Sequence, residues 1–145
     1  MIELPRSLAD ALVRHAREAA PDEACGFVVV LGGRVLRVER TRNASPTPRV
    51  HFTFDGEGYQ RMVEVEKECE RAGGGVVDIG IYHSHPASPA YPSPTDREEM
   101  RHTWPGCVQL MVSLRHDATS GPEVNAYRID REGEVSVEDL RLVEG

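Results

Sequence analysis

The chain has 145 residues, 39% of them hydrophobic and 28% charged, with a formal net charge of −7. That length bounds one compact domain, residues 1–145, large enough to bury a core without disulfide staples. Acidic residues spread along the chain argue against nucleic acid or an anionic membrane as partner, since both want basic patches. No apolar run approaches the ~20 residues of a membrane helix.

Met1-Ile2-Glu3-Leu4-Pro5 has neither a basic flank nor an apolar stretch, so no signal peptide is read there. Cys25, Cys69 and Cys107 are far apart and form no Cys-x-x-Cys pair. A disulfide framework and a cysteine-based zinc knuckle are therefore excluded, and a reducing cytoplasm is the expected setting.

The first element reads as a helix. Ser7 caps it with Asp10 three residues on, and Leu8, Leu12, Ala16 and Ala19 recur at helical spacing until Pro21. Phe27 to Leu31 is a short β-branched run, Gly32-Gly33 a hairpin turn, and Val35 to Arg40 the return strand. Asn43 to Pro48 is a loop by composition, and Val50 to Phe54 alternates loosely as a strand. Glu57 to Ala72 is a charged helix that Gly73-Gly74-Gly75 ends.

Val76 to His83 is the next strand, followed by a loop with Pro86, Pro89, Pro92 and Pro94. Thr95 and Glu98 form a capping box for a short helix that stops at Trp104-Pro105-Gly106. Cys107 to Leu114 and Glu123 to Asp130 are strands, and the state of Val135 to Val143 is left open. Interleaved strands and helices predict an α/β or α+β sandwich.

The chemistry concentrates in His83-Ser84-His85-Pro86 and Ser93-Pro94-Thr95-Asp96. Residues i and i+2 of a strand share a face, so both imidazoles aim at one point. Pro86 ends the strand there. Asp96 lies in the first turn of the next helix, where the macrodipole favours an anion. Two imidazoles and a carboxylate suit zinc, and a fourth position open to water marks a catalytic site. Zinc lowers the pKa of bound water from 15.7 to ~7 and polarises a carbonyl. Glu23 is the candidate general base for that water. Ser93 is the candidate donor to the oxyanion of a tetrahedral intermediate.

The spacing His83-Ser84-His85, Ser93, Asp96, with Glu23 upstream in Asp22-Glu23-Ala24-Cys25-Gly26, resembles the JAMM (MPN-plus) metallopeptidases. The resemblance runs from the first helix to about Asp130. It implies a cytidine deaminase-like three-layer sandwich, a mixed sheet flanked by helices. It implies one zinc per chain on His83, His85 and Asp96, with Glu23 as general acid/base and Ser93 stabilising the intermediate. Pro21 to Gly26, Asn43 to Thr47 and Ala90 to Ser93 look like the small stand-alone bacterial enzymes of the Mec type. Those enzymes release cysteine or processed C-termini from ubiquitin-like sulfur-carrier proteins. The chain lacks room for the long insertions with which eukaryotic relatives hold ubiquitin.

Each residue also has an ordinary reading: Ser93 as a turn residue, Asp96 as a helix-start charge, Glu23 as a solvated residue after a helix. Cys25 reads as a small buried residue. His15, His51, His102 and His116 show no ligand spacing and read as surface or packing residues. Tyr82 and Tyr91 read equally as groove-lining or packing residues. A non-catalytic scaffold on this fold is the alternative function, but such relatives lose metal ligands and this chain keeps them. A zinc deaminase is rejected, since His-x-Glu and Pro-Cys-x-x-Cys are missing. A homodimer is an open option on which the residues are silent.

Overall fold

The computed structural model describes residues 1–73 and 77–145. The elements run β1 (Ile2–Pro5), α1 (Arg6–Ala19), β2 (Cys25–Leu31), β3 (Arg34–Thr41), α2 (Gly56–Arg71), β4 (Asp78–His85), α3 (Pro94–Thr103), β5 (Val108–Ser113), β6 (Glu123–Ile129), β7 (Val135–Glu138) and β8 (Leu140–Val143). The strands form one mixed sheet in the order β7-β6-β5-β4-β2-β3-β1-β8. β4 lies in its interior, antiparallel to β2 and parallel to β5, with α3 in the crossover between the parallel pair.

Alternation along the strands sorts the core onto two faces. Val28 and Val30 of β2 and Tyr82 of β4 face one side, where they pack with Leu12 and Ala16 of α1. Phe27, Val29 and Ile81 face the other side, with Val65 of α2 and Met100 of α3. Helices on both faces of a mixed sheet make the three-layer sandwich that the motif resemblance implied. The α1 stripe falls at Ala9, Leu12 and Ala16, close to the predicted spacing. Tyr82 therefore packs under α1, with 1% exposure, and is no part of a substrate groove. Its ring lies across Gly26, where an added Cβ would sit 2.4 Å from a ring carbon.

Four expectations need correction. β1 was not predicted; it pairs in parallel with β8, a partner at the other end of the chain. Ser7 does not cap α1, because the helix begins at Arg6 behind Pro5 with no side-chain cap. Val50 to Phe54 forms no strand beyond a single Asn43–Phe54 bridge. The box at the start of α3 is Ser93 with Asp96, not Thr95 with Glu98. Pro94 takes the first helical position, where its missing N–H costs nothing, and this moves the cap one step N-terminal to it. Val135 to Val143, left open from sequence, resolves into the two short strands β7 and β8. Gly32 and Gly33 make the predicted hairpin turn with φ of 58° and 81°. Gly73 follows α2 with φ of 81°; Gly74, Gly75 and Val76, also expected at this junction, lie outside the described residues. No described helix is long and apolar enough to cross a membrane.

Candidate functional site

Ile79 and Ile81 pack into the α2/α3 side of the core, and the same face of β4 continues with His83 and His85. The strand thus turns from apolar to imidazole at its C-terminal end. Asp96 arrives from the first turn of α3. His83 Nε2, His85 Nε2 and Asp96 Oδ2 stand 3.0–3.2 Å from one another. All three residues are buried, at 0%, 3% and 5% exposure.

The donor geometry suits a cation between these atoms. His85 Nδ1 lies 2.7 Å from the Pro89 carbonyl oxygen. A carbonyl only accepts, so Nδ1 carries a proton, and once Nε2 is deprotonated it presents a lone pair. In that state the lone pair, a second imidazole nitrogen and a carboxylate oxygen converge on one point, where a cation would be held by all three. Phe52 stacks on the His83 ring at a centroid distance of 4.6 Å. These three residues could hold a metal ion, and their donors lie within 4.8 Å of one another.

Burial works to raise the Asp96 carboxyl. The charge of His83, hydrogen bonds from both histidines and the Ser93 backbone N–H outweigh it, and hold the group well below the usual carboxylate range. Burial pulls the His85 imidazole down, but its bonds to Asp96 and Pro89 and the nearby carboxylates carry it above the ordinary value. Glu23 is pushed up to about 8, by burial first and then by the charges of Asp96 and Glu99, with His85 pulling the other way. Its Oε1 is buried and has no hydrogen-bond partner among the described residues.

Ser84, the middle residue of the His-x-His motif, fixes where Glu23 starts. Its Oγ accepts from the Ala24 N–H at 2.8 Å, and its own N–H donates to the Ala24 carbonyl at 3.0 Å. Ser93 Oγ accepts from the Asp96 N–H at 3.0 Å, while Asp96 Oδ2 accepts from the Ser93 N–H at 3.0 Å. As an acceptor in that box, the Ser93 hydroxyl keeps its own proton free to donate. Glu23, His85 and Ser93 line one cleft of about 580 Å³, with Arg49, Val50 and Pro86 among its walls. β4 is paired with β2 as far as His83 and with β5 as far as His85.

The 43–54 segment is the part of the site that sequence reading missed. Asn43 Nδ2 donates to the carbonyls of Glu23 and His51, each at 3.0 Å, and its Oδ1 accepts from Ser45 N and Thr53 N. Glu23 N–H in turn donates to the Pro48 carbonyl at 2.7 Å. His51, read from sequence as a surface or packing residue, bridges Ser45 Oγ and Glu99 Oε1 of α3, at 2.6 Å each. One segment therefore links the backbone of Glu23, the ring of His83 and the helix that carries Asp96. The Asn43-Ala44-Ser45-Pro46 run is a turn signal, and beside the family likeness of Asn43 to Thr47 it was the trace of this network in the sequence. Cys25 faces the core with its thiol raised to about 11 by burial, which leaves it an unreactive packing residue. Tyr91 is exposed and meets Tyr127 edge-on at 5.4 Å.

Comparison with known proteins points the same way. The chain is 38% identical over 121 residues to a desampylase of Haloferax volcanii, covering 77% of this chain and 80% of that one. It is 36% identical over 139 residues to the CysO-cysteine peptidase of Mycobacterium tuberculosis, covering 94% and 88%. Among solved structures, a protein of Desulfitobacterium hafniense superposes with a TM-score of 0.77 at 29% identity, covering 100% of this chain and 94% of that one. A family described as prokaryotic homologs of the JAB domain matches residues 5–130. The chain belongs to this family of prokaryotic JAB-domain homologs.

Proposed function

We infer that the chain, as one JAB-type domain over residues 1–145, is a zinc-dependent peptidase acting at the C-terminus of a ubiquitin-like sulfur-carrier protein. The observation that carries this reading is the convergence of His83 Nε2, His85 Nε2 and Asp96 Oδ2 in a cleft shared with the buried Glu23 carboxylate. Two imidazoles and one carboxylate are a zinc donor set with a position left over, the pattern of a catalytic site. Tetrahedral ligands at about 2.0–2.1 Å from zinc stand roughly 3.3 Å apart; the donors here are 3.0–3.2 Å apart. Relatives named CysO-cysteine peptidase and desampylase support this substrate class.

Zinc would be held by His83, His85 and Asp96 and would supply Lewis acidity for a scissile carbonyl and a nucleophilic water near neutral pH. In its ionised form Glu23 accepts the proton as the water oxygen adds to the carbonyl carbon, then delivers it to the amine as the C–N bond breaks. The products are a carrier ending in a carboxylate and a free amine. The free Ser93 hydroxyl proton donates to the oxygen that gains charge in the tetrahedral intermediate. Asn43, Ser84 and the Pro48 carbonyl hold the Glu23 backbone, so the carboxylate meets the substrate already oriented.

The test is to incubate the zinc-supplemented protein with the carrier CysO bearing a C-terminal cysteine and to read the carrier by mass spectrometry. Loss of the terminal cysteine, abolished in Glu23→Gln, is expected. A carrier left at full length by the zinc-loaded protein would refute the reading.

A further inference from the structure

The cleft beside the metal centre carries one fixed positive charge, Arg49. This side chain is exposed and enters no ion pair among the described residues, so its charge is free to meet a ligand. A guanidinium is charged at any working pH and matches a carboxylate with two parallel hydrogen bonds.

Its position is tied to the general base. Thr47 to Val50 form a tight turn closed by the Val50 N–H on the Thr47 carbonyl at 3.2 Å. Pro48 occupies the second position, which presets the turn. The Pro48 carbonyl, one residue before Arg49, is the acceptor for the Glu23 N–H. Asn43 pins the same stretch through the carbonyls of Glu23 and His51. The cation is therefore carried on the backbone that holds Glu23, in the cleft that Glu23 also lines. Val50 and Pro86 give the surrounding walls an apolar character suited to a small side chain.

We propose that Arg49 is a specificity-determining residue that binds the free α-carboxylate of the residue being released. The inference rests on the peptidase reading above and narrows it. In an adduct formed through the α-amine of one amino acid, the carboxylate is two bonds from the nitrogen that departs. In an isopeptide through a lysine side chain, the departing nitrogen is at the far end of the side chain and the α-carboxylate is tied up in the protein. Arg49 thus selects a carrier extended by a single residue over a carrier conjugated to a protein lysine.

The experiment compares CysO–cysteine with a free C-terminal carboxylate, the same adduct as its C-terminal amide, and CysO joined to a lysine side chain in a peptide. Wild-type enzyme, Arg49→Gln and Arg49→Lys are measured with zinc content matched. Charge-assisted hydrogen bonds of this kind are worth about 10- to 100-fold in kcat/KM, so the acid should exceed the amide and the isopeptide by that factor. Arg49→Gln should bring the acid down to the level of the amide, and Arg49→Lys should keep part of the preference. Equal rates for acid and amide in the wild type would overturn the proposal and leave the peptidase reading standing. So would an equal loss on all three substrates in Arg49→Gln, which would mark a general docking contact. Failure of the wild type on all three would overturn both.

Discussion

The two walls of the cleft are held by different means. The 86–93 wall is fastened through its own backbone. Three successive carbonyls accept bonds: Ser88 from the Ser113 hydroxyl, Pro89 from His85, and Ala90 from Asn125 and the Tyr127 hydroxyl. Prolines at 86, 89 and 92 stiffen it further. The 43–54 wall is fastened mainly by side chains, through Asn43, Ser45 and His51, beside backbone bonds at Pro48 and Thr53, and its tip at Arg49 and Val50 stands in solvent. The first wall sets the tautomer of a proposed metal ligand and offers little to vary. The second positions the proposed base while leaving two tip residues free to choose a substrate. Rigid chemistry and adjustable selection are thus divided between two loops.

That division yields expected outcomes. The largest is at the base: Glu23→Gln should keep its metal yet lose about 10²- to 10⁴-fold in kcat, measured by single-turnover kinetics beside metal analysis. Metal loss in this variant would mean that the two walls are not separable. Next is the hub of the side-chain wall. Asn43→Ala strands two carbonyls and two N–H groups. It should cost about 1–3 kcal/mol in urea unfolding, and kcat should fall by up to about 100-fold through misplacement of Glu23, with metal stoichiometry retained. Unaltered kcat would remove Asn43 from the positioning of the base.

The backbone wall should answer differently. In Tyr127→Phe the Ala90 carbonyl still receives Asn125 Nδ2. The stability cost should be only about 0.5–1.5 kcal/mol, and zinc affinity should weaken before kcat of the loaded enzyme does. The smallest effect belongs to the opposite face of the sheet. His15 bonds the Tyr82 hydroxyl, and burial, aided by Arg40, lowers its pKa to about 4. A depressed folded-state pKa means that the unfolded chain binds the proton first. The stability this group contributes is full above the ordinary histidine pKa of about 6.5 and is lost as pH falls toward 4. Thermal melting of His15→Gln should therefore be less sensitive to acid over that window than the wild type. Equal acid sensitivity would contradict the assignment.

The parts legible in the sequence were those written in local spacing. His83 and His85 share a face because strands alternate, and the same rule ordered β2 through β6 apart from their ends. The box at α3 was read at Thr95 with Glu98, but it forms at Ser93 with Asp96, because proline prefers the first helical position. β1 escaped notice because four residues carry little periodicity and its partner β8 is contributed by the far end of the chain. The role of His51 was hidden for the same reason, since Glu99 lies 48 residues away. Val50 to Phe54 looked like a strand by alternation, but its polar groups are claimed by Asn43, and only one bridge remains.

The central claim is that His83, His85 and Asp96 bind a catalytic zinc ion. Equilibrium dialysis against zinc, with metal read by mass spectrometry, tests it most directly. The wild type should hold about one zinc per chain. His85→Ala and Asp96→Asn should hold close to none while keeping a folded circular dichroism spectrum. Zinc bound to those two variants at the wild-type level, or none bound to the wild type, would contradict the account.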